Sequence, residues 1–99
     1  MTFANVGHLG VTPGRRDELV VLLTRSSAEL ADAGCLQYDV GVSDDEPNMV
    51  FVVERWTSAA AHRASLELPS VRAAIAEAMP LLSGEMGGFA FEVVGSPLG

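Results

Sequence analysis

Apolar and polar positions along the chain follow two periods. From Phe3 to Val11 they alternate, with Phe3, Leu9 and Val11 on one parity and Ala4, Val6 and His8 on the other, which predicts a first strand. Beyond it the spacing lengthens. Leu19, Leu22, Leu23, Ser26 and Leu30 recur at helical intervals, while Asp17, Glu18, Arg25 and Glu29 lie elsewhere on the wheel. The period predicts one amphipathic helix of about four to five turns. Thr12 is its expected N-cap, Pro13 its first helical residue and Gly34 its left-handed C-terminal cap.

The second half begins with another alternating run, Cys35 to Ser43, in which Leu36, Tyr38, Val40 and Val42 oppose Gln37, Asp39 and Gly41. Asp44 to Asn48 is an acidic turn, so this run and the next form a hairpin. The next run differs. Met49 to Val53 is apolar on both parities and ends in Glu54, Arg55 and Trp56, the mark of a strand buried on both faces that finishes with chemistry. Ser58 is placed to cap a short helix through Leu66, and Pro69 restarts a second one with a stripe of Val71, Ala74, Ile75, Ala78, Met79 and Leu82. Met86 to Val94 is the last strand, and the Gly87–Gly88 pair at its start relieves strain there.

The resulting order is β-α-β-β-α-β with the second helix broken, an α+β, ferredoxin-like arrangement on a four-stranded antiparallel sheet. One domain is expected over residues 1–99. Two helices cover one face of such a sheet. The third strand is apolar on its other side as well, so a second copy is expected there, giving a face-to-face homodimer.

Composition narrows the partners. Thirteen acidic residues stand against six arginines and no lysine, a formal net charge of -7 that disfavours nucleic acid and anionic membranes. An RNA-binding module on this topology would need basic residues beside exposed aromatics. No window approaches the roughly 20 apolar residues of a membrane span, and the first residues lack a leader pattern, so a cytoplasmic location is expected. The single cysteine, Cys35, allows no internal disulfide and no thiolate cage, and is expected as a small buried hydrophobe. No phosphate loop, dinucleotide fingerprint or metalloprotease signature is present.

Few groups remain for acid–base work. His8 lies on the first strand with Asn5 on the opposite parity, and His62 falls on the helix face expected to meet the sheet. Tyr38, Glu54 and Trp56 come from neighbouring strands. Each also has a structural role open to it. Either histidine can be a hydrogen-bonded structural residue, Trp56 a packing residue, and Glu54 one half of an ion pair with an arginine, since an unpaired buried carboxylate is costly.

Four stretches together resemble the antibiotic biosynthesis monooxygenase family: Thr12-Pro13-Gly14-Arg15, Gly34-Cys35-Leu36-Gln37-Tyr38, Glu54-Arg55-Trp56-Thr57-Ser58 and Leu68-Pro69-Ser70-Val71. The resemblance implies a dimeric α+β barrel with a pocket between sheet and helices in each subunit. It also implies a cofactor-independent monooxygenase acting on a small anthrone- or quinol-type aromatic with dioxygen. Such a substrate, once deprotonated, gives an electron to dioxygen itself, so the protein supplies a base and a dry pocket and needs no cofactor. On that footing His62 or His8 is the base, and Asn5, Tyr38, Glu54 and Trp56 shape the substrate site. Two places at which related quinol-oxidising enzymes carry histidine hold Ser65 and Ser70 here, and the places of the haem-degrading branch hold Gly7, Ser65 and Ile75. Those departures keep open a second expectation, a non-catalytic homodimer that binds or senses a small ligand.

Overall fold

The computed structural model describes the whole chain, Met1–Gly99. β1 (Thr2–Val11), β2 (Cys35–Ser43), β3 (Glu46–Trp56) and β4 (Leu82–Val93) pair antiparallel in the order β2-β3-β1-β4. β1 and β3 lie side by side at the centre, as a ferredoxin-like order requires. Residues paired across antiparallel strands share a face, so the β1–β3 register, from Phe3 opposite Trp56 to Gly10 opposite Met49, sorts every side chain. Phe3, Asn5 and Leu9 join Val50, Val52, Glu54 and Trp56 on the side of the helices. Ala4, Val6 and His8 join Met49, Phe51, Val53 and Arg55 on the other.

The helices α1 (Arg16–Leu23), α2 (Ala28–Asp32), α3 (Ala59–Ser65) and α4 (Pro69–Ala78), with a 3-10 turn at Met79–Leu81, cover the first of these faces. Val11, Leu19, Leu22, Val50, Ala78 and Leu81 form the core, in which Leu19 and Val50 are wholly buried. Each such side chain contributes about 1.5–3 kcal/mol through loss of apolar contact with water. No helix is long and apolar enough to cross a membrane.

Several boundaries differ from the sequence expectation. The first helix is two pieces. Thr24 turns its hydroxyl back onto the Val20 carbonyl at 2.7 Å, and Ser26 and Ser27 follow; short hydroxyl side chains compete for backbone groups and interrupt helices. Thr12 does not cap it either, because its hydroxyl donates to the Leu81 carbonyl at 3.4 Å, while Thr12–Gly14 forms a turn with Gly14 at φ 86°. Gly34, at φ 104°, does take the left-handed conformation, and Ser58 does cap α3, accepting from the Ala61 N–H at 3.0 Å. α4 packs mainly on α1 and the 3-10 turn, so only part of its stripe is covered and Ile75 and Met79 face outward.

β2 carries a bulge: Cys35 lies opposite Trp56 and Gln37 opposite Arg55, which leaves Leu36 as the extra residue. β4 begins at Leu82, earlier than expected. Gly88, inside it at φ 147°, lies where any Cβ would strike the Val6 carbonyl, so the glycine lets β1 and β4 approach closely opposite Gly7. The sheet face away from the helices is uncovered in the single chain, with Phe89 78%, Phe91 50% and Val53 40% exposed.

Candidate functional site

The alternation that fills the core of β3 with Val50 and Val52 carries Glu54 and Trp56 to the same side one and two steps later. Glu54 is thereby buried, at 8% exposure, and no arginine approaches it. Arg55 cannot, since the pleat turns it to the opposite face. The carboxylate is held by neutral donors instead. Asn5, its partner across the β1–β3 register, donates its amide Nδ2 to Oε2 at 2.8 Å, and the Trp56 indole Nε1 donates to Oε1 at 3.2 Å. The expected Glu54–arginine pair is therefore replaced by a two-donor cradle built from adjacent strands.

His62 completes the group. Ser58 fixes the start of α3, and one turn later the imidazole descends onto the sheet, its ring centroid 5.4 Å from that of Phe3 and 5.4 Å from that of Trp56, which it meets edge-on. Its Nε2 lies 3.8 Å from Glu54 Oε1, an electrostatic neighbour beyond hydrogen-bond range. Ser65, buried behind it, donates its hydroxyl to the His62 carbonyl at 2.6 Å and so fastens the turn that bears the histidine. A proton taken up by this imidazole would face a carboxylate across a water-poor gap walled by two aromatic rings.

Tyr38 stands opposite Glu54 on the β2 side. Burial, reinforced by the negative charge of Glu54 and, at alkaline pH where it ionises, by that of Cys35, pushes its phenol up to about 12, so it remains a proton donor at any physiological pH. Cys35, opposite Trp56, is also pushed up, first by burial and further by Glu54, while a backbone hydrogen bond with Gln37 opposes the rise. It is a thiol rather than a thiolate, but it is only half-buried, where the sequence suggested a buried hydrophobe.

Of the candidates named from the sequence, Asn5, Tyr38, Glu54, Trp56 and His62 thus come together. His8 does not join them. It projects from the opposite face of the sheet, across from Phe51 and against Gly87. Phe3 was overlooked, although its place two residues before Asn5 on the same strand parity puts it beside that residue. A groove of about 680 Å³ adjoins the group on the β2 side, between the end of α1, α2 and β2, with Leu23, Leu30, Ala31, Leu36, Tyr38 and Val40 among its walls. It borders the cluster through Tyr38 and Cys35 and does not include Glu54 or His62.

The fold has counterparts elsewhere. A candidate antibiotic biosynthesis monooxygenase from Chloroflexus aurantiacus J-10-fl is 34% identical, with a TM-score of 0.80 over 100% of both chains. Another from Caulobacter crescentus CB15 shares 23% identity and a TM-score of 0.78, over 95% of this chain and 91% of its own. A third from Nitrosomonas europaea, at 11% identity, matches with a TM-score of 0.83 over 94% of this chain and 90% of its own, a likeness of fold alone. No curated protein matches the sequence. The profile of the antibiotic biosynthesis monooxygenase domain matches residues 2–77, from β1 through most of α4, and with the whole-length 34% identical relative it establishes that the chain belongs to the antibiotic biosynthesis monooxygenase family.

Proposed function

We propose that the protein is a cofactor-independent monooxygenase that oxidises a small, electron-rich aromatic of the anthrone or quinol type with dioxygen, and that it works as a homodimer. The observation that carries this reading is the placing of His62 between Phe3 and Trp56 with the buried Glu54 carboxylate 3.8 Å from its Nε2. His62 takes a proton from the substrate, and Glu54, held by Asn5 and Trp56, offsets the charge so formed. For an anthrone, the resulting carbanion gives one electron to dioxygen. The radical and superoxide combine to a peroxide anion, which takes the proton back from His62 and then loses water to leave the quinone. One dioxygen is consumed, one of its oxygen atoms enters the product as the new carbonyl, and the other leaves in water.

Oxygen uptake with anthrone, measured against buffer to subtract autoxidation, tests the proposal. Uptake above the buffer rate is expected, falling about a hundredfold in His62→Ala, the scale of a lost general base. His8→Ala, altered on the other face, is expected to retain it. No uptake above buffer with anthrone or with a naphthohydroquinone would overturn the oxidative reading.

A second reading, a ligand-binding dimer without turnover, is favoured by Ser65 and Ser70, which stand where related enzymes carry histidine. Thermal stabilisation by an aromatic recovered unchanged, together with no oxygen uptake, would select it.

A further inference from the structure

The imidazole of His62 is held without a hydrogen bond. Neither of its ring nitrogens is bonded within the chain, since Nε2 stands 3.8 Å from Glu54 and the Ser65 hydroxyl donates to the His62 backbone carbonyl. The torsion that turns such a ring is broad and roughly two-fold, so packing alone fixes which edge faces the carboxylate. Two side chains supply that packing. Phe3 and Trp56 lie opposite each other in the β1–β3 register, and each ring centroid is 5.4 Å from that of His62.

The two walls differ in what else they do. Trp56 is almost wholly buried, and its indole N–H is committed to Glu54. Phe3 is half-buried and has no polar group, so what it offers His62 is the π face of its ring. The two planes are tilted by 32°, nearer to stacked than the 66° at which Trp56 meets the imidazole. A cation within about 6 Å of an aromatic centroid is attracted by the negative face of the ring. Charged and titratable groups on the surrounding elements act on the same imidazole. They are Glu54 on β3, Glu92 on β4 opposite Phe3, the exposed Arg63 next along α3, and Tyr38 and Cys35 on β2, both neutral at physiological pH. Arg55 lies on the far side of the sheet.

We infer that Phe3 is the positioning residue of His62: its ring keeps the imidazole turned with Nε2 beside Glu54 and, once the imidazole takes a proton, stabilises the cation so formed. The inference rests on the oxidative reading only where it concerns turnover, because the hold on the ring and on its proton is a property of the resting protein. A leucine at this position fills nearly the same space without a π face, so it removes the role and spares most of the packing. β1 thus serves both partners of the site. Phe3 holds the imidazole on α3, and Asn5, two residues on, holds the carboxylate on β3.

The test follows the His62 ring protons by NMR across pH in the parent, Phe3→Leu, Phe3→Met and Phe3→Tyr. His8→Gln assigns the other histidine, and circular dichroism checks that each variant is folded. The midpoint of the His62 titration is expected about half a pH unit lower in the two ringless variants than in the parent, a roughly threefold weaker hold on the proton. Phe3→Tyr keeps the ring and is expected to match the parent, a separation that packing alone would not produce. In oxygen uptake with anthrone, Phe3→Leu is expected to lower kcat about threefold to tenfold, because the imidazole is no longer held in one orientation, and to leave KM within about twofold. An unchanged midpoint in a folded ringless variant, a midpoint in Phe3→Tyr as low as in Phe3→Leu, or a raised KM with the parent's kcat would overturn the inference. Loss of the fold in both ringless variants would make Phe3 a core residue and overturn it as well. A parent protein without oxygen uptake above buffer, but with the midpoint shift intact, would refute the oxidative function and uphold the placing of His62 by Phe3.

Discussion

The indole N–H of Trp56 donates to the carboxylate of Glu54, two residues earlier on the same strand, at 3.2 Å. Side chains two apart on a strand share a face, so a Glu-x-Trp sequence at the end of a buried strand is preset for this bond. Trp56 is almost completely buried, and its indole and the Asn5 amide both depend on Glu54 as acceptor. The stretch is thus a structural device first, and it leaves a carboxylate fixed next to His62.

Glu54→Leu is expected to destabilise the protein although it replaces a buried charge with an apolar side chain. Two donors lose their acceptor, at about 1–3 kcal/mol each, offset in part by the transfer gain of the leucine, for a net loss of roughly 2–4 kcal/mol. Glu54→Gln keeps one acceptor oxygen, and Asn5 can turn its amide to meet the new one, so about 1 kcal/mol is expected. Urea denaturation at fixed protein concentration measures both. A leucine variant as stable as the parent would mean that the cradle contributes nothing.

Tyr38 gives a pH dependence with a definite sign. In the unfolded chain its phenol titrates near its usual value of 10.0, and in the folded protein near 12. Its contribution to stability is therefore fully present below pH 10 and is lost as pH rises toward 12, because the unfolded state releases the proton first; the loss is on the order of 2 kcal/mol. Tyr38 is the chain's single tyrosine, so phenolate absorbance near 295 nm reports it alone. The midpoint is expected near pH 12 in buffer and near pH 10 in denaturant, and coincident midpoints would refute the assignment.

Cys35 is likewise the chain's single cysteine, and burial raises its thiol above the usual range. Alkylation by iodoacetamide at pH 8 is expected to be at least about threefold slower than for N-acetylcysteine, since the thiolate is the reactive form. Unfolding in guanidinium is expected to remove the difference. A rate in the folded protein equal to that of the small thiol would show an accessible, unshifted cysteine.

How much of this was legible beforehand follows from which interactions are local. Strand order and the two-sided apolarity of β3 are written in side-chain period, and the His62 turn is written in a local cap at Ser58, so both could be read directly. The partner of Glu54 could not. Charge alone suggested arginine, whereas the partner is Asn5, 49 residues away, and only the β1–β3 register brings the two together. The split of the first helix was hidden for a related reason: Ser26 fits a helical stripe by position, yet Thr24 and the two serines favour local backbone bonds. The groove depends on the β2 bulge at Leu36, which shifts Cys35 and Tyr38 onto one face against simple alternation. His8 and His62 looked equivalent as candidate bases, and strand parity in the folded sheet is what separates them.

The uncovered sheet face leads to the last prediction. Phe89 and Phe91 of β4 and Val53 of β3 lie on one side of the sheet, with Val6 of β1 between Val53 and Phe89 and with Phe51 beside Val53 on the same face of β3. Large contiguous apolar patches are uncommon on soluble monomers and mark interaction surfaces. A second copy presenting the same face satisfies the patch by two-fold symmetry, in which each phenylalanine meets its counterpart's surroundings. Light scattering after size exclusion at micromolar concentration is expected to give twice the chain mass for the parent protein. Phe89→Glu places a carboxylate in each half of that contact and is expected to give the single-chain mass, because desolvating two like charges opposes association. Val94→Glu, beyond the end of β4 and already 86% exposed, is expected to leave the dimer intact. A parent protein of single-chain mass would leave this apolar face without its second copy, and the homodimeric part of the proposed function would fall with it.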